Sequence, residues 1–287
     1  MTTPTYHFIR NATARLTYGG KTFLLDPMLS DKGALPSFAG IAPNPTVDLP
    51  IPAEQIIADI DVVIVSHLHG DHFDGAAAEM LNKSIPIVTP RNGASPNRRE
   101  GAPAIPFKDS LEAKGFTHVQ EIGSPDADHV TLDGITIHQV FARHGKGMVG
   151  DAMGGVNGLI FEVEGQPTIY WAGDTILDEA GEVEAVLKRF KPDVVIAHTG
   201  GPVVEALSPE ILLMDAAQAI LFFEHAMREN ADVQIIAIHM DALDHCFSTR
   251  TDLASALDRQ TAELQNRVVV PGDGDFVVLS EGAISDR

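Results

Sequence analysis

The sequence of 287 residues contains a single cysteine, Cys246. One cysteine excludes a framework of internal disulfides and is typical of a reducing compartment. No uninterrupted apolar stretch approaches the roughly 20 residues that cross a bilayer. The first residues, MTTPTYHFIR, also lack the basic and then apolar segments that mark a signal peptide. We therefore expect a soluble, cytoplasmic protein with no membrane partner.

Basic residues are scarce as well, with 20 Lys and Arg against 40 Asp and Glu and a formal net charge of −20. Such a surface repels polyanions, so we expect no nucleic acid and no anionic membrane as partner. A small anionic substrate is not excluded, because a metal centre can dominate the field in its own cleft. We expect a small-molecule substrate, and the composition is compatible with a homo-oligomer.

The segment 61–75, DVVIVSHLHGDHFDG, joins a buried-strand pattern to a dense group of polar residues. Its apolar start indicates a strand of a parallel sheet. Side chains at i and i+2 of extended backbone face the same way, so His67 and His69 can converge on one point. Asp71 and His72 follow near the start of a predicted helix and can face a second point. Imidazole and carboxylate together are the ligands expected for zinc and similar divalent metals.

The motif HxHxDH resembles the signature of the metallo-β-lactamase superfamily, in which the first two histidines bind one metal and the Asp-His pair binds a second. His144, at a predicted strand end, resembles the third histidine of the first site. Asp174, in the sequence GDT, resembles the aspartate that bridges both metals, and His239 resembles the histidine that closes the second site. The resemblance implies two divalent ions, with Zn²⁺ expected first and Mn²⁺ as the alternative. Seven ligands follow from it: His67, His69, Asp71, His72, His144, Asp174 and His239.

Further residues are candidates for contact with the substrate. His198 ends a predicted buried strand, and the backbone N–H groups of Thr199 and Gly200 are suited to an anion. A turn that simply needs glycine explains this loop equally well. His245 is predicted to touch the substrate because it follows the last ligand closely in sequence. Asp26, before a proline at a strand end, has two interpretations: a supporting role beside the metals, or ordinary turn chemistry.

Both halves of the sequence run from antiparallel strands into alternating strands and helices, with no low-complexity linker between them. The Pro- and Gly-rich stretch 27–52 is too long for a simple connector and predicts a lid or rim. Ser208, Pro209 and Glu210 indicate the start of a helix. These patterns alone give only an α/β class, and the resemblance widens it to a mixed α/β and α+β class. The resemblance implies a four-layer αβ/βα sandwich of two mixed β-sheets with helices outside, forming a single domain over residues 1–287.

The resemblance also implies a metal-dependent hydrolase. Two divalent ions would share a water and lower its pKa towards about 7, and Asp71 would be the catalytic residue that orients the metal-bound hydroxide. The segments LLDP, GDT, AHTGG and IHMDALDHC resemble the ascorbate-6-phosphate-lactonase-like branch. Cleavage of a lactone or carboxylic ester is therefore expected first, with a phosphodiesterase or a non-catalytic metal-binding protein as alternatives.

Basic residues near the predicted site decide between charged and neutral substrates. Arg143, Lys146 and Arg250 are the ones closest in sequence to the proposed site segments. A phosphorylated substrate would require one or more of them in the cleft. If none faces the cleft, a neutral lactone or ester is favoured.

Overall fold

The computed structural model describes residues 3–91, 93–94, 105–123 and 128–280. Short strands and helices alternate along the first half of the chain. In order, these elements are β1 (Thr5–Arg10), β2 (Thr13–Tyr18), β3 (Lys21–Leu25), α1 (Ala53–Ile56), β4 (Val62–Ile64), α2 (Gly75–Met80), β5 (Ile87–Pro90), β6 (Gly93–Ala94), β7 (Ile105–Pro106), α3 (Phe107–Ala113) and β8 (Val119–Ile122).

The second half repeats this alternation with longer helices. Its elements are β9 (His129–Leu132), β10 (Ile135–Val140), α4 (Gly147–Met153), β11 (Gly158–Glu162), β12 (Ile169–Trp171), α5 (Glu182–Phe190), β13 (Val194–His198), α6 (Ala216–Glu229), β14 (Gln234–Ile238), α7 (Arg250–Leu257), α8 (Ala262–Gln265), β15 (Val268–Val269) and β16 (Phe276–Val278). Within the described ranges, no helix is both long enough and apolar enough to cross a bilayer.

The strands form two seven-stranded mixed sheets, in the orders β16-β1-β2-β3-β4-β5-β8 and β15-β14-β13-β12-β11-β10-β9. In each sheet, antiparallel pairing on one side changes to parallel pairing on the other, at the pair β3–β4 in the first and at β12–β13 in the second. The last two strands divide between the sheets, because β15 pairs with β14 and β16 with β1. The predicted pair of mixed sheets is confirmed.

Apolar side chains fill the space between the sheets and cover both outer faces. The central layer joins residues such as Leu16 of the first sheet to Phe161 and Trp171 of the second. Helices α1 to α3 cover the first sheet and α5 to α8 the second, through buried residues such as Leu111 and Phe222. Sheets buried on both faces need continuous apolar strands, which explains runs such as VVIV. The predicted four-layer sandwich is confirmed, and the single domain stays a prediction.

The carboxyl ends of the parallel strands bring the polar residues of the site together. The HxHxDH motif follows β4, and Asp174 follows β12. His198 is the last residue of β13, and His239 comes directly after β14. Because parallel strands share one edge for their carboxyl ends, the loops after β12, β13 and β14 emerge side by side. The two sheets meet at this edge, where the backbone N–H of His239 donates to the carbonyl of Asn11, between β1 and β2, at 3.1 Å.

One predicted helix start is wrong. Ser208 does not cap a helix, and α6 begins at Ala216 instead. Asp215 is its N-cap, and its Oδ1 accepts a hydrogen bond from the backbone N–H of Gln218 at 2.9 Å.

Long-range hydrogen bonds explain why the segment before α6 is not helical. The backbone N–H of Leu212 donates to the carbonyl of Pro202 at 2.9 Å, and that of Met214 donates to the carbonyl of Thr175 at 3.0 Å. A helix would use these N–H groups within its own turns. The segment therefore lies across the site in a non-helical conformation.

Candidate metal centre

Three imidazoles form the first group of potential ligands. The ligand atoms of His67, His69 and His144 lie within 4.8 Å of one another, and His67 Nε2 is 3.0 Å from His69 Nδ1. Burial lowers the pKa of all three, that of His67 well below its usual value and that of His144 to about 4. All three are therefore neutral near pH 7, with lone pairs available to a divalent ion.

Backbone carbonyls fix the orientation of two of these rings. His69 Nε2 donates to the carbonyl of Met153 at 3.0 Å, and His144 Nδ1 donates to the carbonyl of Leu212 at 2.7 Å. Since a carbonyl can only accept, the opposite ring nitrogens carry the lone pairs that face the centre. His144 does not end a strand as predicted, because β10 ends at Val140. The non-helical segment before α6 is what holds it in place.

The second group combines imidazoles with carboxylates. The ligand atoms of His72, Asp174, His198 and His239 lie within 4.8 Å of one another. His72 Nε2 is 3.2 Å from Asp174 Oδ2 and 3.2 Å from His239 Nε2. Asp71 Oδ2 adjoins the group, at 3.4 Å from His239 Nε2 and 3.6 Å from His72 Nε2.

Asp174 faces both groups through a single oxygen. Its Oδ2 lies 3.5 Å from His144 Nε2 and 3.9 Å from His67 Nε2, besides its approach to His72. Its Oδ1 accepts a hydrogen bond from His198 Nδ1 at 2.7 Å. Burial alone would raise the pKa of Asp174, but the charge of His72 and the hydrogen bonds from His198 and His72 outweigh burial and hold that pKa well below its usual value. A carboxylate that is ionised at neutral pH and lies between two groups is suited to bridging two cations.

Asp26, together with Ser66, contacts one histidine of each group. Its Oδ2 lies 2.6 Å from His72 Nδ1, and its two oxygens accept from the backbone N–H and the hydroxyl of Ser66 at 2.7 and 2.5 Å. The same hydroxyl is 3.0 Å from His67 Nδ1. Burial lowers the pKa of His72, but Asp174 and the other nearby carboxylates outweigh it and raise that pKa well above its usual value. Of the two interpretations of Asp26, the contacts favour the supporting role.

The structure thus brings all seven predicted ligands into two adjacent groups. Imidazoles and carboxylates are the donor set that zinc and manganese use in proteins, so the residue types present and their proximity fit a pair of divalent ions. Their roles as ligands stay a prediction.

The predicted anion-binding loop after β13 is not in the cleft. His198 and Thr199 are fully buried, and the backbone N–H of Thr199 donates to the carbonyl of Ile238 at 2.9 Å. A Cβ added to Gly200 would come within 2.0 Å of the carbonyl oxygen of His239. The structure therefore favours the other interpretation, in which the turn needs glycine for packing. The contact between His198 and Asp174 was not predicted, because the sequence shows only that each residue follows or ends a strand.

Asn11 is another residue that the sequence did not single out. It is fully buried, with a backbone φ of 57°, in the turn between β1 and β2. Its Nδ2 donates to the backbone carbonyl of Asp71 at 3.0 Å and lies 3.4 Å from His239 Nε2. In the sequence, an asparagine at this position indicates only a turn.

A cleft of about 360 Å³ opens over the two groups. Asp71, His69, His144 and Asp174 lie at its base, and His245 is also among its lining residues. Contact of His245 with the substrate stays a prediction. The remaining lining residues are mostly apolar: Ser37, Phe38, Gly70, Met153, Pro202, Val204, Leu207 and Leu212.

None of the three basic residues considered above lines this cleft. Lys146 Nζ pairs with Glu179 at 3.3 Å. Arg143 Nε donates to the carbonyl of Gly145 at 3.3 Å. Arg250 pairs with Asp241 at 3.0 Å and also contacts a second aspartate. In the described part of the chain, the cleft thus has no lysine or arginine in its lining.

The model of a known family, described as the beta-lactamase superfamily domain, matches residues 21–240. The chain belongs to the beta-lactamase superfamily. The match runs from β3 to just beyond β14 and so contains all seven predicted ligands. The predicted resemblance is confirmed at this level.

Curated relatives within the superfamily have similar length. The UPF0173 protein YddR of Bacillus subtilis is 29% identical over 272 residues, which cover 93% of this chain and 96% of the relative. A UPF0173 metal-dependent hydrolase of Pyrococcus abyssi is 27% identical over 186 residues, covering 64% of this chain and 67% of the relative.

Solved structures show the same fold. A protein from Veillonella parvula, described as a possible metal-dependent hydrolase, has a TM-score of 0.83 and 29% identity, covering 97% of this chain and 100% of the other. An isothiocyanate hydrolase from Delia radicum gut bacteria has a TM-score of 0.78 and 30% identity, covering 95% of this chain and 98% of the other. The chain is a metal-dependent hydrolase of the metallo-β-lactamase fold.

Proposed function

We propose that this hydrolase cleaves a small, uncharged and largely apolar substrate, with a lactone or carboxylic ester as the first class. The lining of the cleft is the observation that carries the proposal. Apolar side chains form most of its wall, and within the described residues no lysine or arginine reaches it. Arginine and lysine are the side chains that recognise phosphate groups, so a phosphodiester is disfavoured.

Two divalent ions, when bound, would lower the pKa of a shared water towards about 7 and so supply the nucleophile at neutral pH. Asp71 lies at the base of the cleft, and the charge of His72 lowers its pKa well below the usual value although burial alone would raise it. An ionised carboxylate there can accept a hydrogen bond from the attacking water and orient it towards the substrate carbon. An apolar substrate that fills the cleft would displace water from its base, which would strengthen the electrostatic interactions there.

Isothiocyanates are a second candidate class. The observation that favours them is the isothiocyanate hydrolase that is 30% identical over 95% of this chain. An R–N=C=S group is uncharged and apolar, as the cleft requires. Water would add to the central carbon, the nitrogen would take up protons, and breaking the C–N bond would release R–NH₂ and carbonyl sulfide.

A substrate panel on the protein loaded with Zn²⁺ or Mn²⁺ tests this proposal. The panel contains p-nitrophenyl butyrate, γ-decalactone, phenethyl isothiocyanate and bis-p-nitrophenyl phosphate. We expect at least one neutral compound to be turned over with a kcat/KM roughly 100 times that of the phosphodiester, a gap of about 2.7 kcal/mol. A preference for the phosphodiester would overturn the proposal, and full metal loading without any turnover would favour the non-catalytic alternative.

A matched pair of variants assigns the activity to this cleft. Asp71→Ala should lower kcat by roughly 100-fold or more, because the carboxylate that orients the attacking water is lost. Asp109→Ala removes an exposed carboxylate of α3 that does not line the cleft, and kcat should stay unchanged. Equal activity of the two variants would contradict the role of Asp71.

A further inference from the structure

The stretch 37–44, here called the rim loop, is wrapped around one carboxylate from the other end of the chain. Asp244, which is only 9% exposed, accepts hydrogen bonds from four backbone N–H groups and two side chains of this loop. The donors are Phe38 N at 3.0 Å, Ala39 N at 3.3 Å, Ile41 N at 3.1 Å, Ala42 N at 3.1 Å, Asn44 Nδ2 at 2.8 Å and Ser37 Oγ.

Asn44 closes the rim loop on the same residue. Its Oδ1 accepts from the backbone N–H of Asp244 at 2.8 Å, so the two residues bond in both directions. The backbone groups of Leu35 and Asn44 also pair, at 2.7 and 2.9 Å. Successive N–H groups that converge on an anion form a stable concave turn without helix or strand. The conformation of the rim loop therefore depends on the Asp244 carboxylate.

The rim loop carries an aromatic side chain into the cleft wall. The ring of Phe38 packs edge-on against His245, with 5.1 Å between the centroids and an angle of 83°. Both side chains line the cleft. His245 Nδ1 is buried and has no hydrogen-bond partner among the described residues. This part of the wall thus offers an apolar ring beside one free polar atom.

We propose that Phe38 is a specificity-determining residue that contacts the apolar group of the substrate, and that Asp244 is the positioning residue that holds it there. This inference rests on the proposed function, because it names the part of the same cleft that selects among uncharged substrates. Asp244 lies close to both rings of this contact, because it bonds the rim loop that carries Phe38 and directly precedes His245 in the chain.

Substrates of increasing size test the role of Phe38. With p-nitrophenyl acetate, butyrate and hexanoate, or with methyl, butyl and phenethyl isothiocyanate, Phe38→Ala should raise KM roughly tenfold for the largest member and by less than about threefold for the smallest. The control is Phe276→Ala, since Phe276 is 70% exposed and does not line the cleft. An equal change across the series, or none, would overturn the proposal.

Hydrogen exchange tests the role of Asp244 without any turnover. In Asp244→Asn, the amides of residues 38, 39, 41 and 42 should exchange at least tenfold faster than in the wild type, while those of β14 stay protected. If that variant does not fold, Ser37→Ala, which removes one donor of the same network, should speed exchange in the loop several-fold. Where Asp244→Asn folds, it should also raise KM for the largest substrates, while kcat for the smallest stays within about threefold. Unchanged exchange, or a uniform loss of kcat, would contradict the positioning role.

A probe without a scissile bond separates this inference from the proposed function. Binding of 2-phenylethanol, followed by NMR saturation transfer, should be at least fivefold weaker to Phe38→Ala than to the wild type or Phe276→Ala. If no substrate in the panel is hydrolysed but this order of binding holds, the proposed function fails and the apolar contact stands. Equal binding to all three proteins would overturn the contact itself.

Discussion

The carboxylate of Asp174 lies within 4 Å of imidazoles in both ligand groups. Its Oδ2 approaches His67, His72 and His144, while its Oδ1 is occupied by His198. The hydrogen bond from His198 to Oδ1 therefore orients the Asp174 carboxylate so that Oδ2 faces both groups. His245, by contrast, lies in the cleft wall, and its Nδ1 has no hydrogen-bond partner among the described residues.

Metal retention should differ sharply between variants of these two residues. Asp174→Ala removes a carboxylate that faces both groups, so we expect at least one of two ions to be lost. His245→Ala should keep both, because the side chain belongs to the wall. Elemental analysis after gel filtration measures the difference. If both variants retain metal equally well, Asp174 is not a bridging ligand.

Asp244 gives the rim loop a defined response to acid. Burial alone would raise the pKa of this carboxyl, but hydrogen bonds from Ser37, Asn44 and the backbone outweigh it and lower the pKa below its usual value. A carboxylate with a lowered folded-state pKa contributes stability in full above its unfolded pKa of about 3.9. This contribution is lost as the pH falls through the folded-state pKa.

The variant Asp244→Asn should therefore be less stable than the wild type by about 2 kcal/mol at pH 7, the usual worth of hydrogen bonds to a charged group. The gap should persist at pH 5 and narrow only below about pH 4. Urea denaturation at several pH values measures it. A gap that widens towards acid would contradict this account of the loop.

At the level of elements, short-range signals predicted strands well and one helix poorly. The runs DVVIV, DVVIA and VQIIAI coincide with β4, β13 and β14, because strands buried on both faces must be continuously apolar. The helix α7 has a clear local signal, because Thr249 is its N-cap in a capping box with Asp252. Ser208-Pro209 has an equally good local signal, but the segment after it uses its backbone N–H groups in distant hydrogen bonds. Tertiary contacts outweighed local preference there.

Two substitutions distinguish the observed start of α6 from the predicted one. Asp215→Ala should lower the free energy of unfolding by about 1 kcal/mol, because the backbone N–H of Gln218 loses its acceptor. Ser208→Ala is the control and should change it by less than about 0.5 kcal/mol. Urea denaturation measures the free energy of unfolding of both variants. A larger loss of stability in Ser208→Ala than in Asp215→Ala would contradict Asp215 as the N-cap.

The same difference in range explains which site residues could be predicted. His67, His69, Asp71 and His72 lie within one short motif, and Asp174 stands in a three-residue signature. The supporting contacts have no local signal. Asp26 reaches His72 over 46 positions and Asp244 reaches Asn44 over 200. Single residues so far apart in sequence form no recognisable pattern. The sequence therefore predicted a lid or rim over residues 27–52 but not that Asp244 fixes its conformation.

At the level of the whole molecule, the two ligand groups lie where the sheets meet. The motif belongs to the loop after β4 of the first sheet, whereas Asp174, His198 and His239 follow or end strands of the second. Asn11 joins the two sides by direct hydrogen bonds, donating to Asp71 and accepting from His239. If the seven predicted ligands bind two ions, both sheets would contribute ligands to each of them.

Chelation should consequently lower the melting temperature as well as abolish activity. Ions present at 100 times their dissociation constant stabilise the folded state by about 2.7 kcal/mol each. For a chain of this size, 1 kcal/mol corresponds to roughly 2–4 °C, so removing two ions should lower Tm by about 10–20 °C. Calorimetry with and without EDTA tests this, with Asp174→Ala as a variant whose Tm should respond less. An unchanged Tm would contradict ligation from both sheets.

A chain with one cysteine has no internal disulfide, and ions at the junction of the sheets would act as its removable cross-link. The folded fraction would then depend on the free concentration of the metal. When metal is withdrawn, the loops that carry the ligands on both sheets should open before the outer helices do. Metal supply would thereby set how long the protein survives as well as how fast it works.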